Sequence, residues 1–568
     1  MSETNTSIKL NTILNLHPKK AHMRILTLAI AMALVLGVKA QKATVSDNQL
    51  NRPKLVVGIV VDQMRWDYLY RYANRYGSDG FNRLINQGFA CENTMIPYVP
   101  TVTACGHTCI YTGSVPAVHG ITSNSWYDRI NKKFVYCTDD DSVTPVGTNN
   151  MAQKMSPRNL WATTIGDELK IATNSRSKVI SVAIKDRASI LPGGHSANAA
   201  YWFDTKTGNW ITSSYYDMTD LPAWVKQFNN RKIADSLMRL NWKLAYDSST
   251  YVNSTADDEW YEAKFSHEAK PVFTHELASQ IGKNYDLLRL TPGGNTMTAE
   301  MAKAAVINEK LGQGAATDLL AISFSSPDGV GHAFGPNSRE QEDDFLQLDK
   351  VIAGLLNFLD ASVGKGQYLV FLSADHGVAN IPGFLQERKD PQGVMGGGTI
   401  SKELNQQLRE NFKSDSLVTG VFNNQVHLNF DKIAAAGLNE STIRKWIVDY
   451  LLKKDFVSTA IDLSAVNNAT SPAVVKEMVT NGYSYRRSGD IQIIMQPGWV
   501  DFGNPGTTHA AWYPYDAHIP LLFYGWKIKP GKLYRETYMT DIAATIAAML
   551  KIQMPSGCVG KVISEVMQ

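Results

Sequence analysis

Three aspartates and three histidines stand where metal chemistry is the first reading. Asp328 and His332 lie four apart in "DGVGH", and Asp375 and His376 are adjacent in "ADHG". Asp62 ends "KLVVGIVVD", and His509 sits in "GTTHAAW". Carboxylate and imidazole together suit zinc and similar divalent ions. A catalytic zinc usually has three protein ligands and an open position, so six candidates suit two ions better than one. Singly, each signal is weak. An Asp after a strand most often caps a helix or forms a turn, and His509 is one of twelve histidines. The common placement carries the reading. A second stretch, "TVTACGHTCIYTG" from Thr101 to Gly113, crowds hydroxyls, thiols and an imidazole together. It fits either a nucleophile turn or a buried helix start.

The elements that would position these groups are legible as apolar runs that stop abruptly. "KLVVGIVVDQM", "KVISVAIKDR", "DLLAISFSSPD" and "QYLVFLSADHG" are unbroken apolar runs, each closing on charged or polar residues. Runs without alternation mark strands buried on both faces, as in a parallel sheet. Helical patterns lie between them. In 339–359, Phe345, Leu348, Ile352, Leu355 and Leu359 recur at helical spacing. Strands alternating with helices predict an α/β fold with a doubly wound, mostly parallel sheet and helices on both faces. Ligands bind such sheets beyond the carboxyl ends of the strands, so the four polar run ends should converge on one rim. Residues 205–300, rich in Trp, Tyr and Asn, read as an insertion over the sheet. Residues 385–495 read as a small α+β cap, with "NNQVHLNF" and "DIQIIMQ" as strands and a helix near 440–453. The rest of 41–568 is expected to be a single catalytic domain.

Bulk properties exclude some functions. A formal net charge of +3 over 568 residues gives no field for a nucleic-acid partner. Five basic residues and one acid lie in residues 1–40, so the remainder is close to neutral. Arg24 followed by an apolar run from Ile25 to Val38 and the small-x-small Val38-Lys39-Ala40 predicts a signal peptide cleaved after Ala40. The run is short for a membrane span, and the expected product is a periplasmic or secreted protein with no stable span. Five cysteines (Cys91, Cys105, Cys109, Cys137 and Cys558) leave at least one unpaired within the chain.

In order along the chain, Asp62, Thr103, Asp328 with His332, Asp375-His376 and His509 resemble the alkaline phosphatase superfamily. The similarity is nearest to the secreted, PafA-type alkaline phosphatases with a threonine nucleophile. "DQMRWD", "TVTACGHTCIYTG", "PAVHGI", "KDRASILPGGHSANAAYWFD", "ADHG" and "DAHIPLLFYG" carry the likeness over nearly the whole mature chain. The sulfatases of the superfamily use a modified cysteine in a C-x-P/A-x-R setting, which neither Cys105 nor Cys109 has.

The resemblance implies a metal-dependent phosphomonoesterase with two zinc ions per chain. One would be held by Asp328, His332 and His509. The other would be held by Asp62, Asp375, His376 and the Thr103 oxygen. It implies Thr103 as nucleophile at a helix start, with Thr101 the nearest rival, and a phosphothreonine intermediate. It implies Asn124, Lys185 and Arg187 as phosphate ligands. Lys185 and Arg187, two apart at a strand end, are expected to point the same way. His119, His195 and His518, with Cys105, His107 and Cys109, are expected to be structural. The substrates would be small phosphate monoesters and the enzyme a monomer. The alternatives are a phosphodiesterase or nucleotide pyrophosphatase of the same superfamily, and an inactive phosphate-binding relative.

Overall fold

The apolar run beginning at Leu55 forms strand β1 (Leu55–Val61), with all seven residues buried. The computed structural model describes residues 50–503 and 505–568, so the predicted leader and its cleavage site lie outside the described residues. In chain order the other principal strands are β2 (Phe89–Met95), β3 (Val179–Ala183), β4 (Ala199–Asp204), β5 (Asn209–Ser213), β6 (Asp318–Phe324) and β7 (Tyr368–Ser373). Then follow β8 (Val418–Phe422), β9 (Gln425–Leu428), β10 (Val457–Asp462), β11 (Ile491–Met495) and β12 (His518–Gly525).

The main sheet has eleven strands and runs β2-β12-β7-β1-β6-β3-β4-β5, with short strands at its edges. β1 lies between β7 and β6, parallel to both, with Leu55 opposite Tyr368 and Asp318. β3 continues the parallel set beside β6, and β4 beside β3. β12 is antiparallel to β7 and to β2. β1, β3, β6 and β7 are buried along their whole length, as unbroken β-branched and aliphatic runs require when both faces are covered. This is the mostly parallel α/β sheet expected from the sequence.

Five helices bear on the site: α1 (Thr103–Thr112), α2 (Asp186–Gly193), α3 (Pro292–Asn308), α4 (Ser326–Phe334) and α5 (Arg339–Leu359). α5 has the predicted span, and Phe345, Leu348, Ile352, Leu355 and Leu359 are all fully buried. β8, β9, β11 and β10 form a separate antiparallel sheet. Its own apolar core includes Leu404, Leu408, Ile443 and Ile447 from helices Gly397–Phe412 and Glu440–Leu451. All five cysteines are free thiols. Among the described residues no helix is long and apolar enough to cross a membrane.

Candidate active site

Four adjacent parallel strands deliver the candidate residues to one rim. Asp62 follows β1, Asp375 and His376 follow β7, Asp328 opens the α4 turn after β6, and Lys185 follows β3. His509 arrives on the loop before β12. Asp62, Asp375 and His376 are fully buried, and Asp328 nearly so.

Hydrogen bonds set the protonation of the three histidines. His332 Nδ1 lies 2.7 Å from the Thr507 carbonyl, His376 Nδ1 2.9 Å from that of Gly377, and His509 Nδ1 2.6 Å from that of Thr101. A carbonyl only accepts, so each Nδ1–H donates, and in a neutral ring the lone pair then sits on Nε2. These lone pairs face carboxylates. His332 Nε2 is 3.1 Å and His509 Nε2 3.8 Å from Asp328 Oδ1. His376 Nε2 is 3.7 Å from Asp62 Oδ1 and 3.4 Å from Asp375 Oδ2. A lone pair facing a carboxylate at such a distance needs a positive charge in common. Asp62 Oδ1 and Asp375 Oδ2 are buried without a donor. Burial, with Asp375 and Asp328 adding to it, pushes the Asp62 carboxyl well above the usual range. Burial, then His376 and His332, hold His509 well below the usual imidazole value. Imidazole Nε2 atoms aimed at a cluster of three buried carboxylates are the donor set that a divalent ion of the zinc class takes. The ligand atoms of Asp328, His332 and His509 all lie within 4.8 Å of one another, as do those of Asp62, Asp328 and His376.

Thr103 is the first residue of α1, after an extended Val102. Its Oγ1 is 3.4 Å from His376 Nε2. Helix α1 reaches this place because residue 106 is glycine: a Cβ there would stand 2.2 Å from the Asp375 carbonyl oxygen. Thr101, the rival, spends its hydroxyl on the Ala511 carbonyl at 2.9 Å.

The three expected phosphate ligands are placed differently from one another. Asn124 Oδ1 accepts from Ala104 N at 2.9 Å, which ties its amide to the first turn of α1. Lys185 Nζ bridges Asp62 Oδ2 at 2.7 Å and Asp328 Oδ2 at 2.6 Å. Arg187 Nη1 instead donates to Tyr136 Oη at 3.0 Å, and its Nε is buried without a partner. The expectation that Lys185 and Arg187 share a strand face is corrected. β3 stops at Ala183, and Lys185 is the N-cap of α2, so strand alternation does not apply to them.

Two positioning residues escaped the sequence reading. Gln63 adopts a left-handed backbone (φ 65°). Its N–H donates to Asp375 Oδ1 at 3.0 Å and its Nε2 to Asp328 Oδ1 at 2.9 Å, so one residue orients carboxylates from two strands. His107 is not mere packing. Its Nδ1–H points to the Thr103 carbonyl at 2.9 Å, with the same Nδ1 3.2 Å from Asp375 Oδ2, and its Nε2 meets Ser323 Oγ at 2.8 Å. Its spacing of four from Thr103 on one helix face was the available signal.

The profile of the type I phosphodiesterase / nucleotide pyrophosphatase family matches residues 56–516. The chain is 48% identical to alkaline phosphatase PhoV of Synechococcus elongatus over 96% of this chain and 100% of that protein. It is 49% identical to a protein of Myroides odoratus named calcium-transporting ATPase, over 93% of this chain and 97% of that one. The crystal structure of alkaline phosphatase PafA, a protein of Elizabethkingia meningoseptica, superposes with a TM-score of 0.89 at 46% identity. It covers 91% of this chain and 99% of its own.

Proposed function

Because the chain belongs to the PafA-type alkaline phosphatases, within the type I phosphodiesterase / nucleotide pyrophosphatase family, we propose that it hydrolyses phosphate monoesters through a phosphothreonine on Thr103. Asp328, His332 and His509 would hold one divalent ion. Asp62, Asp375 and His376 would hold a second, with the Thr103 oxygen completing it, since His376 Nε2 lies 3.7 Å from Asp62 Oδ1 and 3.4 Å from Asp375 Oδ2; two zinc ions per chain suit these donors. When bound, such ions supply positive charge at the attacking and leaving oxygens and favour the ionised hydroxyl.

Thr103 Oγ1 forms a bond to phosphorus as the ester P–O bond breaks, and the alcohol leaves with the proton the threonine gives up. Water then breaks the Thr103–phosphorus bond, releasing inorganic phosphate and restoring the hydroxyl. The start of α1 favours the developing negative charge. Asn124 holds the first turn in place through Ala104 and keeps its amide N–H donors for a phosphoryl oxygen. Lys185 and Arg187 supply the cations that match the dianion of a monoester. Cations neutralising Asp62 and Asp328 would free the Lys185 ammonium for substrate.

The observation that carries this reading is the joint aim of three Nε2 atoms at buried carboxylates beside a buried threonine hydroxyl. The test is acid quenching during turnover of a phosphate-labelled monoester, followed by peptide mapping. Label on Thr103 is expected; steady turnover in Thr103→Ala would overturn it.

The name of the matching family supports a second reading, a phosphodiesterase or nucleotide pyrophosphatase. The two differ at one oxygen: a monoester has a third non-bridging oxygen where a diester has an oxygen bonded to a second carbon. An aryl monoester and diester with one leaving group decide between them by kcat/KM. ATP, named for the Myroides relative, would present the same three terminal oxygens as a monoester. We also propose export, with cleavage after Ala40, on the pattern of residues 24–40. N-terminal sequencing from the native compartment should begin at Gln41; a retained Ile25–Val38 segment would mean an anchor.

A further inference from the structure

Beside His332 lies a cavity of about 500 Å3 that the chemistry above does not use. Among the six candidate ligands, His332 has much the most exposed side chain, at 24%, while Asp62, Asp375 and His376 are at 0%. The cluster therefore opens toward this cavity. Its walls include Phe265, Leu287, Leu290 and Phe502. The Phe502 ring stacks on His332, with centroids 5.5 Å apart and planes at 18°. The loop carrying Phe502 is held close by Gly506 (φ 107°), where a Cβ would meet the His332 carbonyl oxygen at 2.6 Å. Arg289 also lines the cavity, but its charge is matched by Asp286 through bonds of 3.0 and 2.9 Å. Lys264 lines the rim as well, its Nζ donating to the Ala269 carbonyl at 3.1 Å, so the lining offers mainly apolar surface with one cation at its edge.

In-line displacement at phosphorus places the departing oxygen opposite the attacking one. Thr103 attacks from beside His376, and His332 belongs to the other ligand group. The organic part of the ester must then point toward His332. We propose that this cavity is the subsite for the ester group, and that it takes an aromatic or similarly flat apolar group laid against Phe502. Its volume is in the range of small-molecule sites, and a flat ring would cover half-buried Phe502 and Leu290 beside the buried Phe265 and Leu287. This rests on the monoester reading and on Thr103 as nucleophile.

The test uses the metal-loaded full enzyme with phenyl phosphate and methyl phosphate as substrates. Phenylphosphonate and methylphosphonate serve as non-hydrolysable competitors whose binding is measured by calorimetry. Phe502→Ala and Leu290→Ser should each lower kcat/KM for phenyl phosphate and affinity for phenylphosphonate by about tenfold. The methyl compounds should change by no more than about twofold. Equal losses on both pairs would mean that Phe502 only supports His332, and unchanged phenyl values would mean that the ring lies elsewhere; either overturns the subsite. Leu290→Ser, which leaves the His332–Phe502 stack intact, separates these causes. If the wild type turned over neither ester, the monoester reading would fall, while phosphonate binding would still report on the cavity.

Discussion

The molecule buries carboxylates in two places and treats them in opposite ways. At the strand ends, three imidazoles donate from Nδ1 to backbone carbonyls and turn their Nε2 atoms to the acids. At the start of α5, Glu340, Glu342, Asp343 and Asp344 are fully buried as well. There His275 has both ring nitrogens on carboxylates, Nδ1 3.0 Å from Glu268 and Nε2 3.3 Å from Glu340. Burial would lower its pKa, but Glu268 and Glu340 outweigh it and push His275 up to about 9. Asp343 accepts from Trp242 Nε1 and Ala245 N, and Glu342 from Arg75. Burial, with Glu340 and Glu259, pushes Glu262 up to about 10, so it keeps its proton. In one region both nitrogens of the imidazole are spent on acids, while in the other each imidazole gives Nδ1 to a backbone carbonyl and leaves Nε2 for the acids. Residue types alone do not separate a structural acid patch from a metal centre; the partner of each imidazole nitrogen does.

If that contrast is right, removing metal should strike only the strand-end region. Chelation should abolish monoester turnover with zinc restoring it, and His332→Ala and His376→Ala should each lose metal from a different site. Elemental analysis finding no more than one metal in fully active protein would break the comparison. The next largest effect belongs to the hydroxyl beside the lone pairs. Thr103→Ala should cost about a thousandfold in kcat while metal content and melting temperature hold, and Thr103→Ser should keep a substantial part.

A smaller effect is expected at the cations. Lys185→Ala and Arg187→Ala should reduce kcat/KM for an aryl monoester far more than for the matching diester, because an unmatched buried charge costs about 2–5 kcal/mol. Equal losses on both substrates would show that neither residue reads the third oxygen. The mildest prediction concerns the acid patch. A histidine raised to about 9 contributes stability that is fully present below its ordinary value of 6.5 and lost as pH rises through about 9. The contribution is on the order of 3 kcal/mol. Glu262, an acid with a raised pKa, loses stability in the same direction. Urea midpoints should fall between pH 6.5 and 9, and His275→Gln should flatten that fall while monoester turnover changes by only a few-fold. A pH-independent wild type would remove the charged imidazole from the account.

Much of the fold was legible because buried parallel strands leave a plain record. The four apolar runs became β1, β3, β6 and β7, and their polar ends do meet at one rim. The candidate ligands were legible by the same token. Gln63 was not, because a left-handed backbone at a non-glycine residue has no local signal. The shared-face expectation for Lys185 and Arg187 failed because the strand stops at Ala183, one residue before the apolar run does, and Lys185 already caps a helix. The acid patch was hidden for a different reason. "EQEDD" at a helix start reads as a solvated face, and only the insertion packed over it supplies His275, Trp242 and Ala245.

The sheet order has a consequence for biosynthesis. β1 is encoded near the beginning of the chain, yet its two neighbours come from beyond residue 317, and His509 lies later still. Such long sequence separations make the central pairings slow and late events. A nascent chain halted before His509 would carry five of the six candidate ligands without the full set. Ion capture would therefore be postponed until nearly all of the polypeptide has emerged, and an exported enzyme would mature where it folds rather than where it is translated.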